Sequence, residues 1–240
     1  MKIDPMMRSY FRGVRAGVPI GLGYLSVSFS LGILAVSMGM YVWQAVLISM
    51  VTLTSAGQLS GIHTMCMPGQ YVEMLVSQFT INVRYSFMSI CLSQKTDSKF
   101  KGIYRLLLGF FMTDEIFAVA STEKSVSRSY FLGLAAAPYI GWTCGTLLGA
   151  LLGDVLPERV MGALCLAIYA MFVAIVVPQI RVEKTLGIVV GASVLFSAAF
   201  YYLPYLKNIS SGFAVTVCAI AAAVLGAWLF PKKEEEEEAA

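Results

Sequence analysis

The sequence predicts an all-α protein, a polytopic membrane bundle of about seven or eight hydrophobic segments, with a broken or re-entrant second segment. Three observations carry this. Of 240 residues, 58% are hydrophobic and 13% charged; a soluble domain carries about 25% charge, so a fully water-facing surface cannot be built. Mean hydropathy is +0.76. The few charges bunch at the ends of apolar runs and in the terminal stretch Glu234 to Glu238. Residues 1–231 are expected to form one transmembrane domain and residues 232–240 an acidic disordered tail.

Apolar runs fall at 14–38, 41–67, 71–93, 104–121, 130–152, 160–178, 185–206 and 212–230. In lipid these must be helices, because every backbone polar group needs a partner within the protein. The first run follows a basic stretch (Lys2, Arg8, Arg12, Arg15) and continues to Met40 without a cleavage site, so it reads as a first span rather than a signal peptide. A second basic cluster, Lys95, Lys99, Lys101 and Arg105, separates the third and fourth runs. Positive charge favours the cytoplasmic side, so both clusters should share a face. Three full crossings between them would oppose that. The run 41–67 is interrupted by Thr52, Thr54, Ser55, Gly57, Gln58, Ser60, Gly61 and His63 and is the one expected to turn back. Such breaks survive at membrane depth where they are buried in protein or line a wet cavity, and in transporters they bind substrate. The alternative is that the charge rule fails at one loop.

The first and fifth runs share a design. Gly13, Gly17 and Gly21, with Pro19, match Gly141, Gly145, Gly149 and Gly153, which follow Pro138. Small residues every four positions let helices approach closely. They read as packing stripes or as the trace of an internal repeat, and exposed stripes would also suit docking of a partner. Trp43, Trp142 and Trp228, with Tyr10, Tyr41, Tyr71 and Tyr104, read as interfacial anchors. Glu73 is placed to favour a helix N-terminus. Asp154, Glu158 and Arg159 read as loop charge. Cys66, Cys91, Cys144, Cys165 and Cys218 form no CxxC pair and read as small core residues rather than a metal site.

Charges within a span mark function by default, and Arg84, Asp114 and Glu115 are the clear cases. Arg84 lies nine residues before the end of its run and Asp114 ten after the start of the next, so both sit about 14–15 Å from one surface. Antiparallel neighbours would bring Arg84 to Asp114 or Glu115 near the midplane. The pair either grips a substrate or fixes helix register. One Arg cannot satisfy two adjacent carboxylates, which point about 100° apart on a helix, so one acid is expected to carry a proton. Gln78, Asn82, Tyr85 and Ser89 form a polar stripe beside Arg84, lining a cavity or bonding a neighbouring helix. Gln58, beside Gly57 at the break, offers donor and acceptor groups at similar depth. His63, the one histidine, reads as hydrogen-bonded and structural, with a pH role as the alternative. No HExxH, GxSxG, P-loop or dinucleotide motif is present, so neither an enzyme nor a cofactor is expected.

These residues, in this order, resemble the AzlC family, the large subunit of branched-chain amino acid exporters. The resemblance covers residues 10–180 and rests on the opening AGVPIGLGYLSVSFSLGILA, with Gly17, Pro19 and Gly23; on Ala56, Gly57 and Gln58; on Asn82, Val83 and Arg84; and on Asp114 and Glu115. Thr54 and Ser55 stand where the family often has Phe, and Tyr85 where it commonly has His, which bears on the substrate rather than the class. The resemblance implies a multi-pass permease of the bacterial inner membrane that exports valine, leucine, isoleucine and methionine and works with a small hydrophobic AzlD-like subunit. Substrate contacts are then expected at Arg84, Asn82, Gln58, Gly57, Pro19, Gly21 and Gly23. Proton coupling or ion pairing falls to Asp114 and Glu115, and an apolar wall to Phe110, Phe111 and Phe117. The alternative is a channel or structural subunit without a coupled cycle.

Overall fold

The computed structural model describes residues 4–97, 100–152, 183–203 and 211–230, with isolated positions between 159 and 209. The run 160–178, apart from single positions, lies outside these, as do Gly153, Asp154, Glu158, Cys165 and the acidic tail. Among the described residues the protein is all-helical, with no strand and a single β-bridge between Thr96 and Val126. Three described helices are long and apolar enough to cross a membrane: Pro5–Ser37, Arg128–Leu152 and Lys184–Tyr202.

The chain divides into two compact units, one of residues 1–69 and 81–171, the other of residues 70–80 and 172–240. In the first unit, α1 (Pro5–Ser37) starts at Pro5, capped by the Asp4 carboxylate, which accepts from the Met6 amide at 3.0 Å. Proline at the first helical position costs no hydrogen bond, so the helix begins well before the apolar run and carries Arg8, Arg12 and Arg15 on its first turns.

Its main partner is α7 (Arg128–Leu152). The two run parallel and pack through their glycines. A Cβ on Gly13 would strike the Tyr130 carbonyl, on Gly17 the Leu134 carbonyl, on Gly145 the Leu25 carbonyl and on Gly149 the Phe29 carbonyl. Backbone meets backbone because no side chain intervenes, which is what a small-residue stripe permits. Both stripes are therefore buried against each other. The expectation that they stay exposed for a partner is corrected by this packing.

The run 41–67 is broken as expected. α2 (Val42–Val51, 10 residues) stops, Thr52 and Thr54 are extended, and α3 (Ser55–Met65, 11 residues) begins. The two helices fold back on each other. Met65 and Cys66, at the end of α3, face Met40 and Trp43, at the start of α2, across one groove, and the Gln58 amide donates to Ser49 at 2.6 Å across the hairpin.

The run 104–121 is also broken, which corrects its reading as one uninterrupted segment. α5 (Ile103–Phe110) and α6 (Asp114–Ser121) have eight residues each, about 12 Å at helical rise, too short to span lipid. They too return to their starting end. Tyr104, opening α5, lies 4.5 Å under the Arg128 guanidinium, and the Ser121 carbonyl, closing α6, accepts from Lys95 Nζ at 2.9 Å.

This end also gathers described members of both basic clusters, Arg12 and Lys95 among them. Val126 and residues 95–97 pair through Val126 N–H to Lys95 O at 2.8 Å and Asp97 N–H to Val126 O at 3.2 Å. Arg12 pairs with Glu123 at 2.9 Å, and Ser9 shares a hydrogen bond with Ser127. The start of α1, residues 94–97 and the α6–α7 turn share one end, as the charge rule requires. α4 (Tyr71–Ser93) spans both units, with Glu73 in its first turn. In the second unit α8 (Lys184–Tyr202) packs on α9 (Ser211–Leu229), where Gly226 crosses close to Val189.

Candidate functional site

The tips of the two hairpins converge inside the first unit. Each ends in an extended threonine that caps the next helix: Thr54 Oγ1 accepts from the Gly57 amide at 3.3 Å and Thr113 Oγ1 from the Ile116 amide at 3.3 Å. A threonine here satisfies one of the orphan amides of a new helix, which is why both chains restart at these points. The N-termini of α3 and α6, the positive ends of their dipoles, are thereby set beside one region. Tyr139 of α7 touches both tips, donating its hydroxyl to the Met50 carbonyl at 3.0 Å and packing edge-on against Phe110 and Phe111.

Arg84, on α4, bridges the same two tips. Its Nη2 lies 2.9 Å from Asp114 Oδ2, in the first turn of α6, and donates to the Tyr85 hydroxyl at 3.2 Å. That hydroxyl meets Thr54 Oγ1, the cap of α3, at 3.4 Å. The predicted Arg84–Asp114 meeting is present. The Arg84 side chain is 51% exposed and that of Asp114 32%, so the ion pair is open to a further ligand on one side. Tyr85, where the resemblance would place a histidine, is the link from Arg84 to the first hairpin.

Glu115 points elsewhere. It accepts from the Tyr24 hydroxyl at 2.5 Å, and Tyr24 stands edge-on to Trp142, ring centroids 5.3 Å apart. Trp142 donates Nε1–H to Gln58 Oε1 at 3.0 Å. Behind Gln58 the buried network closes through Ser49 and Thr146, whose hydroxyls are 2.7 Å apart. Trp142 is 1% exposed, which corrects its reading as an interfacial anchor; Trp43, Trp228, Tyr41 and Tyr71 are exposed.

The other predicted residues separate by place. Gly57 is buried at the first tip, and Gln58 sits behind it with both ends of its amide bonded within the protein. Asn82 lies half-buried on α4, two positions before Arg84. Gly21 belongs to the seam, where a Cβ would meet Ala137, whereas Pro19 is exposed and a Cβ on Gly23 would meet nothing within 4 Å. These three are not gathered with Arg84. Phe110 and Phe111 form one ring cluster with Tyr139. His63 Nδ1 is bonded to the Leu59 carbonyl at 2.9 Å. Grooves of about 470 Å³ and 730 Å³ flank α2 and include neither Arg84 nor its acids.

Sequence reasoning missed Tyr24 and Thr113, and gave Thr54 and Trp142 other roles, as an interruption of the run and as an interfacial anchor. The available signal was a polar aromatic in mid-run, since a buried hydroxyl or indole N–H demands a partner, and a threonine just before a run restarts.

The AzlC protein family pattern matches residues 19–156. An uncharacterized membrane protein of Archaeoglobus fulgidus is 30% identical over 223 residues, covering 90% of this chain and 94% of its own. Inner membrane protein YgaZ of Escherichia coli is 24% identical over 191 residues, covering 76% and 78%. No solved structure matches. The family pattern spans more than half the chain and includes both hairpins, Arg84 and the acid pair, and the protein belongs to the AzlC family.

Proposed function

We propose that this protein is a secondary transporter exporting branched-chain amino acids (valine, leucine and isoleucine, with methionine as a further substrate) across a bacterial inner membrane. It is proton-coupled and acts as the large subunit of a permease completed by a small hydrophobic AzlD-like subunit. The observation that carries this reading is Arg84, a half-exposed guanidinium tied to both hairpin tips. A zwitterion needs a cation for its carboxylate, which guanidinium serves through paired N–H donors, and an acid for its ammonium. Arg84 and Asp114, already 2.9 Å apart, offer both, so substrate entering between them replaces one ion pair by two. The rings of Phe110, Phe111 and Tyr139 border the second tip and supply apolar surface for an aliphatic side chain.

Interrupted helices with facing N-termini are a transporter design for binding anionic groups near the midplane. Membership of the AzlC family and the likeness to an inner membrane protein of Escherichia coli support the membrane setting. The test is flux of labelled valine in proteoliposomes holding both subunits. Wild type should accumulate valine against its gradient when a pH gradient is imposed, and Arg84→Ala and Asp114→Asn, inserted normally, should lose it. Normal flux by both variants would remove this pair from the mechanism. Strictly downhill flux, insensitive to pH, would make the protein a channel instead.

A further inference from the structure

The two adjacent acids of α6 have different partners, and the difference assigns them different work. Asp114 has a guanidinium at 2.9 Å. Glu115 has no cation within 4 Å among the described residues; its hydrogen-bond partner is the neutral Tyr24 hydroxyl. An ionised carboxylate at membrane depth is costly without a counter-ion, whereas the protonated acid carries no charge. A tyrosine hydroxyl suits both states, because it donates to the carboxylate and accepts from the carboxylic acid.

The groups around this pair are few. On α1, Tyr24 faces it. On α4, Tyr85 lies near Tyr24, and Arg84 is engaged by Asp114. On α6 itself stand Asp114 and Thr113, whose hydroxyl caps the helix by accepting from the Ile116 amide. From α7 comes Trp142, edge-on to Tyr24. None of these beyond Arg84 is a cation.

We propose that Glu115, held by Tyr24, is the acid that takes up and releases the transported proton, while Asp114 serves Arg84 and the substrate's ammonium. This rests on the export reading above. The step is simple: the carboxylate gains a proton from water on one side and returns it to water on the other, with no other bond made or broken. Tyr24 is the positioning residue. Its ring packs on Trp142, which holds Gln58 behind the tip of the opposite hairpin, so loss of the Glu115 hydrogen bond at one tip bears on the packing at the other.

The test is infrared difference spectroscopy of the reconstituted wild-type protein during a pH jump, read at the carbonyl stretch of a protonated carboxyl. A band should appear on acidification, vanish in Glu115→Gln, persist in Asp114→Asn and change frequency in Tyr24→Phe. Valine flux in the same vesicles should lose its dependence on the pH gradient in Glu115→Gln. A band unaffected by Glu115→Gln, absent from wild type, or lost only in Asp114→Asn overturns the assignment, whatever the flux. The expected band in a wild type that moves no valine would uphold the proton site and sink the export reading. Should Glu115→Gln fail to give monodisperse protein, the Tyr24→Phe shift decides alone: a band of unchanged frequency overturns the proposal.

Discussion

Gln58→Leu tests whether the first broken helix is pinned to α7 by its buried amide. Gln58 is 2% exposed and Trp142 1%. The substitution removes two hydrogen bonds, from Trp142 Nε1 at 3.0 Å and to Ser49 at 2.6 Å. Ser49 keeps Thr146 at 2.7 Å, so the group left unsatisfied is the indole N–H. An orphaned buried donor costs about 1–3 kcal/mol, and a central value of about 2 kcal/mol changes the folded-to-unfolded ratio by a factor of about thirty.

Trp142→Phe removes that donor, so on the Gln58→Leu background it should recover most of the loss, although Trp142→Phe alone destabilises by leaving Gln58 Oε1 without its donor. The coupling is the quantity to measure, since contacting residues are non-additive by about 0.5–3 kcal/mol. The assay is the unfolding midpoint in detergent for wild type, both single variants and the double variant. Additive losses, or a Gln58→Leu protein with the wild-type midpoint, would refute the pinning.

Two further outcomes follow from the packing. Gly145→Leu and Gly149→Leu should each wedge α1 from α7 and deplete folded protein in the membrane, because even a Cβ there meets backbone oxygen. Gly23→Ala, which meets nothing within 4 Å, should be neutral or gain up to about 1 kcal/mol from helix propensity; folded yield after detergent extraction separates them. In a cysteine-free background, Tyr41→Cys and Pro68→Cys should label from one face of the membrane, and Lys101→Cys and Glu123→Cys from the other. Labelling of Tyr41→Cys and Pro68→Cys from opposite faces would mean that 42–65 crosses, and the same split between Lys101→Cys and Glu123→Cys would mean that 103–121 does.

Several features of the site were legible because they obey one-dimensional rules. Polar interruption marked the break at 52–54, since a polar cluster in mid-run has no place on a lipid-facing helix. The depth of Arg84 and Asp114 followed from counting residues to a shared end, and counting works because helical rise is constant. The break at 111–113 escaped because Phe111 and Met112 keep the run apolar. Thr113 as the cap and the acids Asp114 and Glu115 in the first turn mark the restart, but the acids read equally as charges on one continuous helix. Trp142 was misplaced for a similar reason: an indole in an apolar run looks like an anchor until a specific acceptor, here Gln58 from 84 positions away, is seen to meet it.

Composition and charge spacing by themselves determined that this chain is a helical membrane protein, that its basic clusters share an end, and that an arginine and two acids lie at matching depth. Those conclusions need only hydropathy, helical rise and the cost of charge in lipid. Tertiary structure alone decided that the glycine stripes of α1 and α7 face each other, that two hairpins rather than one turn back, and that the neighbouring acids part company. A helix turns about 100° per residue, so adjacent side chains face different neighbours. Asp114 meets a cation on α4 and Glu115 a phenol on α1, and nothing in the order of residues says which neighbour stands where.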